Sequence, residues 1–374
     1  MPSSSFVIPC YNLGHLLAEC VDSILSQTYQ DFEILIMDDC SPDDTAEVAA
    51  TFADPRVRYF RNERNLGHLR NYNKGIALAA GRYVLLISAD DRLRSPHLLE
   101  RYVHILDDNP AVGYVCCPGI GLENGIETEV EGCLADHDMV LEGKAFLFKL
   151  LRGNFIIAAS GMVRRVCYEK HGAFPLDLPY AGDWFLWCLF AVHYDVAYCA
   201  EPMVNYRRHE LSMTNYLMSQ RRRLTLKEGF IVLWRIETEA RRLGDTEMIE
   251  ECHRRLASLY ASHLVGWEID GSRYCITAQE LENSLHELAL SPAEKKWIQA
   301  RIWTLAGDRS LRQQNVSAAR EYYVRAQQCD RRSISLRARR LLTRTGSRGV
   351  AMAVKAAELG RAATAYFRHN AARG

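Results

Sequence analysis

The sequence predicts an α/β domain with a mostly parallel sheet flanked by helices, followed by an α-helical domain. Two observations predict it. Apolar runs alternate with segments of helical spacing in the first part of the chain, and after about residue 214 long stretches rich in Leu, Ala, Arg and Glu follow with almost no proline. Strands that alternate with helices build βαβ units and a parallel sheet. Because 374 residues are too many for one core, we expect two domains, 1–214 and 215–374.

The predicted strands of the first domain are short apolar runs that end in turn or polar residues. They are Phe6–Pro9, Phe32–Met37, Val57–Phe60, Tyr83–Ser88 and Val112–Cys117, with Phe155–Ser160 and Val196–Ala200 as later candidates. The predicted helices between them cover Leu16–Leu25, Asp43–Phe52 and about Leu69–Ala80, and a fourth begins with Ser95 as cap and Pro96 at the first position. The Gly- and Glu-rich segment Pro118–His137 is predicted to form loops or a hairpin.

In the second domain, Ser291-Pro292-Ala293-Glu294 predicts a helix start, with the cap, the proline and the capping-box acid in register. Ala318–Ala326 resembles one helix of a tetratricopeptide-type hairpin. A steady period of about 34 residues is missing, so we expect a helical domain rather than a repeat array. A homodimer formed through this domain is left open.

Composition indicates a soluble cytoplasmic protein. The chain is 48% hydrophobic and 25% charged, and its apolar runs fall short of the roughly 20 residues that span a bilayer. The start, Met1–Ser5, lacks the basic segment of a signal peptide. The twelve cysteines include no Cys-x-x-Cys pair and lie mostly in apolar stretches, which favours reduced, buried thiols over disulfides or zinc.

Charge is unevenly distributed although the net charge is zero. Residues 1–214 hold 18 Lys and Arg against 29 Asp and Glu, which argues against nucleic acid as a partner. Residues 331–374 hold 11 basic residues and the single acid Glu358. This basic tail predicts either peripheral contact with the anionic inner face of a membrane or a solvated helix end, and the sequence leaves both open.

Polar residues follow two of the buried strands directly. Pro9–Asn12 ends the first strand, and Ser88-Ala89-Asp90-Asp91 ends the fourth. Carboxyl ends of parallel strands are where open α/β folds bind ligands. Two adjacent carboxylates repel each other unless they are solvated or a cation lies between them and a second anion. The pattern therefore predicts a metal that holds a phosphorylated ligand.

Seven motifs, in order and in register over about residues 5–212, resemble glycosyltransferase family 2, which has the GT-A fold; residues 215–374 are not covered. The motifs are Val7-Ile8-Pro9-Cys10-Tyr11-Asn12, Ser23-Ile24-Leu25-Ser26-Gln27-Thr28-Tyr29, Asp38-Asp39-Cys40-Ser41-Pro42-Asp43-Asp44-Thr45, Asn65-Leu66-Gly67 with Asn73-Lys74-Gly75-Ile76, Ser88-Ala89-Asp90-Asp91, Gly182-Asp183-Trp184-Phe185-Leu186-Trp187 and Tyr206-Arg207-Arg208-His209.

The resemblance implies a nucleotide site near the first two strands. Pro9 and Tyr11 would lie against the base, with the Tyr11 ring stacked on a pyrimidine. The Asp39 carboxylate would accept a hydrogen bond from the base N3–H, which favours uracil or thymine over cytosine. Arg70 would reach the base or the diphosphate. Taken alone, Tyr11 also fits a core tyrosine, Asp39 a turn residue or helix cap, and Arg70 a solvated helix residue.

The resemblance also implies a metal site for Mn²⁺ or Mg²⁺, which suit oxygen ligands and a diphosphate. We place the metal on Asp91, with His209 as a third ligand or a donor to the diphosphate, and the ribose on Asp90, although the order of the two acids is open. The family commonly has an Asp where this chain has Ser88.

Asp183 is the catalytic base that the resemblance implies. It would take the proton from the acceptor hydroxyl in a single in-line displacement that inverts the anomeric centre. The usual acidic neighbour is replaced by Gly182, which we expect to affect acceptor binding more than basicity. A helix cap at Asp183 is compatible with the same role.

The resulting hypothesis is an inverting, metal-dependent transferase. It moves a sugar from a UDP-sugar, or a dTDP-sugar, to a saccharide or lipid-linked saccharide in cell-surface polysaccharide synthesis. A dinucleotide enzyme is rejected, because the glycines of Gly119–Gly125 are spaced one residue too far apart and the acids after them would repel a pyrophosphate. The alternative is a catalytically degenerate domain that serves as a scaffold through its helical region, supported by Ser88 and Gly182.

Overall fold

The computed structural model describes residues 2–209, 222–270, 290–331 and 333–343, and the single positions 212, 217, 279, 283 and 285. Its contacts divide the chain into two compact units, residues 1–243 and residues 244–374. The division falls later than the expected boundary at 214, because the helix Arg222–Leu243 packs against the helix Gly182–His193 of the first unit. The sequence predicts where the chain becomes helical, but it does not predict that the first long helix packs within the first unit.

The described part of the first unit contains twelve strands. They are β1 (Ser4–Cys10), β2 (Phe32–Asp38), β3 (Val57–Arg61), β4 (Tyr83–Leu86), β5 (Arg92–Leu93), β6 (Val112–Cys116), β7 (Gly119–Glu123), β8 (Ile126–Glu131), β9 (Met139–Leu141), β10 (Met162–Arg164), β11 (Asp195–Tyr198) and β12 (Val204–Arg207). Eight of them form one sheet in the order β3-β2-β1-β4-β10-β6-β11-β9. The pairs β1–β2, β1–β4, β2–β3 and β6–β11 are parallel, which confirms the predicted α/β class.

Burial explains why the central strands read as continuous apolar runs. Every residue of β1 and of β2 is buried, as expected for parallel strands covered on both faces. The described part of the first unit also contains eight helices, the first three of which alternate with the strands β1 to β4. They are α1 (Gly14–Leu25), α2 (Thr45–Ala49), α3 (His68–Leu78), α4 (Leu98–Asp108), α5 (Gly143–Leu150), α6 (Arg165–His171), α7 (Gly182–His193) and α8 (Arg222–Leu243). The core formed by α1, α4 and the parallel strands holds the strand ends in place.

The predicted start of α4 is wrong. The helix begins at Leu98 with His97 at the N-cap, and Ser95 and Pro96 lie in the connection before it. The Ser95 carbonyl accepts a hydrogen bond from the Gln27 side chain (2.9 Å), and the Pro96 carbonyl accepts one from the Thr28 N–H (2.9 Å). These hydrogen bonds to the segment after α1 hold Ser95 and Pro96 outside the helix, although the local sequence favours a helix start there.

The strand predicted at Phe155–Ser160 is also wrong. Residues Ala158–Ser160 form a turn of 3₁₀-helix, and the strand follows as β10. The Ser160 N–H donates to the Ile157 carbonyl (2.9 Å), and the buried Tyr102 hydroxyl donates to the Ser160 carbonyl (3.0 Å). A short buried apolar run is compatible with either conformation, and here the tertiary contacts favour the turn.

A second sheet of the first unit has the order β5-β12-β7-β8. β7 and β8 form an antiparallel hairpin within Pro118–His137, so the hairpin alternative of the prediction is confirmed. Both turn residues, Asn124 and Gly125, have positive φ, as a tight hairpin turn requires. β12 pairs with β5, which follows Asp91 directly, and this pairing brings the end of β12 to the acidic residues after β4.

The described part of the second unit is helical. Its helices are α9 (Thr246–Asp270), α10 (Pro292–Arg312), α11 (Val316–Cys329) and α12 (Ile334–Leu342). The predicted capping box is confirmed, since Ser291 and Glu294 each accept a hydrogen bond from the other's N–H. Among the described helices we find none that is both long and apolar enough to cross a membrane. Residues 344–374, most of the basic tail, lie outside the described residues.

Candidate functional site

Residues at the carboxyl ends of β1, β2 and β4 line one cavity of about 640 Å³. Pro9, Tyr11, Asp39 and Asp90 are among them, together with Ser88 from the same strand end as Asp90. α3 supplies another wall, with His68, Asn71 and Tyr72. The sheet topology explains the convergence, because β1 lies between β2 and β4 and all three run in parallel. Four predicted residues from three separate motifs therefore share one pocket.

Asp39 is almost fully buried at the floor of this pocket. One carboxylate oxygen accepts hydrogen bonds from the Asn62 side chain and the Leu66 N–H (both 2.8 Å), and the other accepts one from the Gly67 N–H (2.9 Å). The carboxylate thus fixes the loop that enters α3. Since each carboxylate oxygen has two lone pairs, Asp39 retains the capacity to accept a bond from a ligand.

Tyr11 and Arg70 are both exposed but differ in position. The Tyr11 side chain is 49% exposed and lines the pocket, where its ring is available for stacking. It follows β1 next to Asn12, whose positive φ turns the chain along the cavity. Arg70 is exposed on α3 and is absent from the lining of the 640 Å³ cavity, so its predicted role stays a prediction.

Asp90 and Asp91 face different partners. An Asp90 oxygen lies 2.9 Å from the His209 ring, and Asp91 accepts a hydrogen bond from the Arg207 N–H (2.9 Å). The Arg207 guanidinium reaches the Asp90 carbonyl and Glu19. Burial and the neighbouring Asp90 charge raise the pKa of Asp91 well above its usual range. The pairing of β12 with β5 therefore brings the His209 ring to Asp90 and the Arg207 N–H to Asp91.

This donor set fits a divalent cation held mainly by a ligand. Within the described ranges, no three His, Cys, Asp or Glu side chains group closely enough to hold a metal by themselves. Mg²⁺ typically binds through one or two carboxylates plus substrate phosphates, which requires no closed protein cage. A cation would also relieve the repulsion between Asp90 and the buried Asp91. The assignment of Asp91 and His209 as ligands stays a prediction.

Asp183 lies in the first turn of α7, and Ala181 is the N-cap. Its carboxylate accepts hydrogen bonds from the Trp184 N–H (2.6 Å) and the Asn154 side chain (2.9 Å). Protein surrounds it on most sides, and this burial raises its pKa to about 6 despite the two hydrogen bonds. A carboxylate of that pKa is ionised at neutral pH and still basic enough to accept a proton.

Three adjoining cavities connect these residues. Asp90 lines the 640 Å³ cavity and a second one of about 160 Å³, which Asp91 and Asp183 also line. Asp183 in turn lines a third cavity of about 670 Å³, whose walls include Trp184 and Arg208. Of the predicted residues, Tyr11 and Asp39 line the first cavity, Asp90 the first two and Asp183 the last two, whereas Arg70 and His209 line none of the three.

Sequence reasoning missed the side chains that hold the segment before Asp183. Asn73 bonds to both the N–H and the carbonyl of Phe174, and the His68 ring bonds to the Pro179 carbonyl. From the other side, Glu228 accepts hydrogen bonds from the N–H groups of Tyr180 and Ala181. Asn73 stands within a motif, but Glu228 lies in a plain helical stretch that carries no motif signal.

Comparison with known proteins gives a family match over part of the chain. Residues 5–166 match the model described as "Glycosyl transferase family 2". An uncharacterized glycosyltransferase of Rickettsia typhi is 29% identical over 222 residues, which are 59% of this chain and 68% of that protein. A Campylobacter jejuni protein named GalNAc(5)-diNAcBac-PP-undecaprenol beta-1,3-glucosyltransferase is 31% identical over 165 residues, 41% of this chain but only half of its own length.

A solved structure resembles the chain over a longer range. The crystal structure of S. aureus TarS 1-349 in complex with UDP-GlcNAc superposes with a TM-score of 0.60, covering 88% of this chain and 91% of that one. Its sequence identity of 16% establishes likeness of fold alone. The family match ends before Asp183 and His209, so their assignment rests on the motifs and on the geometry above.

Proposed function

We propose that this chain, whose residues 5–166 match the glycosyl transferase family 2 model, transfers a sugar from a nucleotide diphosphate donor to a saccharide hydroxyl with inversion. The observation that carries the proposal is the path of adjoining cavities. Asp39 and Tyr11 line its first part, Asp90 lies at the junction, and Asp183 lines the second and third parts. That order matches a base, a diphosphate and an acceptor laid end to end.

The donor pocket favours a UDP-sugar, with a dTDP-sugar as the other candidate. Tyr11 stacks on the base, and Asp39 accepts its N3–H, which cytosine lacks. Asp90 holds the ribose, and Arg70 reaches the base or the diphosphate. A divalent cation, Mn²⁺ or Mg²⁺ on Asp91 and His209, would stabilise the charge on the departing diphosphate. UDP-GlcNAc, bound by the TarS protein of the same fold, is the first donor to try.

Asp183 takes the proton in the transfer step. The acceptor hydroxyl oxygen attacks the anomeric carbon, its proton passes to the Asp183 carboxylate, and the bond between sugar and phosphate breaks with its electron pair leaving on the nucleotide diphosphate. Because a single base acts in one in-line displacement, the anomeric centre inverts. The 670 Å³ cavity beyond Asp183 would take the acceptor sugar, with Trp184 and Tyr206 among its walls.

The acceptor is proposed to be a saccharide or lipid-linked saccharide of a cell-surface polysaccharide. The Campylobacter relative, whose name contains PP-undecaprenol, supports the lipid-linked form. The basic residues of 331–374 would bring the enzyme to an anionic membrane surface. The cytoplasmic location, expected from the cysteine pattern, and a homodimer through the helical unit stay predictions.

Thermal unfolding with UDP and Mn²⁺ separates this proposal from the scaffold alternative. A ligand that binds the folded state at a hundred times its Kd stabilises that state by about 2.7 kcal/mol, so we expect a clear rise in Tm with UDP. CDP serves as the matched control, and we expect a smaller rise because its base offers no N3–H to Asp39. Unchanged Tm values with UDP, dTDP and their metal complexes would favour the scaffold.

A further inference from the structure

The segment Gly172–Ala181, which leads into α7, is fixed from two sides. On one side, α3 bonds to it through Asn73 and His68. On the other side, α8 bonds to it through Glu228, which accepts hydrogen bonds from the Tyr180 and Ala181 N–H groups, both at 2.8 Å. Asp183 follows two residues after the second of these N–H groups. Movement of this segment therefore moves the carboxylate that we propose as the base.

Burying the ionisable side chain of Glu228 costs more free energy than a purely structural contact would require. Its side chain has no exposed surface, and a single oxygen accepts both hydrogen bonds. The other oxygen is buried and has no hydrogen-bond partner among the described residues. Burial raises the pKa of Glu228, while the two N–H groups lower it and favour the ionised form. An amide oxygen could accept the same two bonds without the cost of burying a charge.

The negative charge has an effect that an amide would lack. Glu228 adds to the pKa increase that burial gives to Asp183. The Glu228 carboxylate, carried by α8, lies at the N-terminus of α7. Its negative charge there is favourable to the positive end of the α7 helix dipole. The hydrogen bonds of Glu228 and its negative charge therefore both affect the Asp183 carboxylate.

We propose that Glu228 is a positioning residue for Asp183, which fixes the backbone before α7 and places a negative charge behind the base. This inference rests on the proposed function, because it assumes that Asp183 accepts the acceptor proton. It gives α8, outside the residues that match the family model, a part in the transfer step.

Other ionisable groups also face Asp183 and must be counted. Asp90, Asp91, His68, Tyr72, Tyr180 and Tyr206 share the 160 Å³ cavity with it, and Glu131 and Arg208 share the 670 Å³ cavity. Asp177 and Tyr180 lie near Glu228. None of these side chains changes in a Glu228 variant, so a difference between such a variant and the wild type reports on Glu228.

The test is the pH dependence of kcat/KM for sugar transfer in Glu228→Gln and Glu228→Ala. In Glu228→Gln the two hydrogen bonds persist and the charge is lost, so we expect the acid limb to move to lower pH by roughly half a unit. In Glu228→Ala the segment loses both acceptors, so we expect kcat to fall about tenfold or more while the donor KM changes little. Rates are normalised to folded protein by UDP binding.

Glu237→Gln is the matched control, since Glu237 is also buried on α8 and pairs with Arg241. Its acid limb should coincide with that of the wild type. Wild-type acid limbs in both Glu228 variants, with kcat reduced only in proportion to folded protein, would overturn the inference. If Asp183→Asn is inactive in that case, the proposed function survives; if Asp183→Asn is fully active, both fail.

Discussion

At the scale of single residues, the environment of Asp183 determines when it can act as a base. Burial outweighs the hydrogen bonds from Trp184 and Asn154, and the pKa is raised from 3.8 to about 6. A raised pKa means that the proton is retained to higher pH, so the reactive carboxylate is lost as pH falls through 6 rather than through 4. The carboxylate that we propose as the base is therefore ionised under neutral or alkaline conditions.

We predict an acid limb near pH 6 in the pH dependence of kcat/KM, measured by release of the nucleotide diphosphate. Asn154→Ala provides an internal check. It removes a hydrogen bond that lowers the pKa of Asp183, so the limb should move to higher pH. A wild-type limb near pH 4 would contradict the assignment of Asp183 as the base.

Asp39 fixes the loop before α3, and we propose that it also recognises the base. A comparison of Asp39→Asn with the same change at the neighbouring Asp38 tests that role. In the variant an NH₂ group replaces one acceptor and faces a backbone N–H, so we expect UDP affinity to fall about tenfold or more in calorimetry. The control is Asp38→Asn. Asp38 bonds to Tyr59 and Arg61, so this change should lower stability but leave the UDP affinity of the folded protein intact. Equal UDP affinity in Asp39→Asn and wild type would contradict the predicted role.

Most of the residues that the sequence predicted occur in motifs at strand ends, whereas Asp183 and Arg70 lie on helices. Pro9, Tyr11, Asp39 and Asp90 do line one pocket. Asn154 and Glu228 could not be predicted, because their partners are 29 and 47 to 48 residues away along the chain and no local pattern marks the contact. Such long-range hydrogen bonds depend on the packing of the whole unit.

At the scale of elements, the parallel strands were predictable because burial on both faces leaves an uninterrupted apolar run. The start of α4 and the turn at Ala158–Ser160 were not, because side chains from other elements bond to those backbones. The capping box at Ser291 was predictable because all of its bonds lie within four residues. Local sequence signals thus predicted the backbone conformation correctly only where no hydrogen bond from another element competes with them.

The contact between α10 and α11 yields a stability prediction. A methyl group added at Gly307 would lie 2.5 Å from the ring of the buried Tyr323, which is held by a hydrogen bond to Asp308. Overpacking of this kind costs about 1–3 kcal/mol, and the better helix propensity of Ala offsets up to about 1 kcal/mol. We therefore expect Gly307→Ala to lower the free energy of unfolding of the helical unit in urea, followed by Trp fluorescence.

Lys296→Ala is the control for this comparison, because Lys296 is exposed on the same helix. It should change the free energy of unfolding by less than about 0.5 kcal/mol. A Gly307→Ala protein that is more stable than the wild type would show that the two helices are not packed as closely as described.

At the scale of the whole molecule, the uneven charge predicts association with anionic membranes. Residues 331–374 hold 11 basic residues and one acid, whereas residues 1–214 are acidic. We expect removal of residues 344–374, which spares α12, to reduce sedimentation with phosphatidylserine-containing liposomes at low salt. Phosphatidylcholine liposomes are the control and should retain little of either protein. Equal sedimentation of both proteins with the anionic liposomes would remove the basis for a membrane-bound acceptor.

The most direct measurement of the central claim is release of nucleotide diphosphate by the full chain from a panel of nucleotide sugars. The panel is run with Mn²⁺, with a chelator, and with the Asp183→Asn variant. We predict release from a UDP- or dTDP-sugar that is lost with the chelator and in the variant, while the variant still binds UDP. Release from no donor, or release by Asp183→Asn at the wild-type rate, would contradict the account.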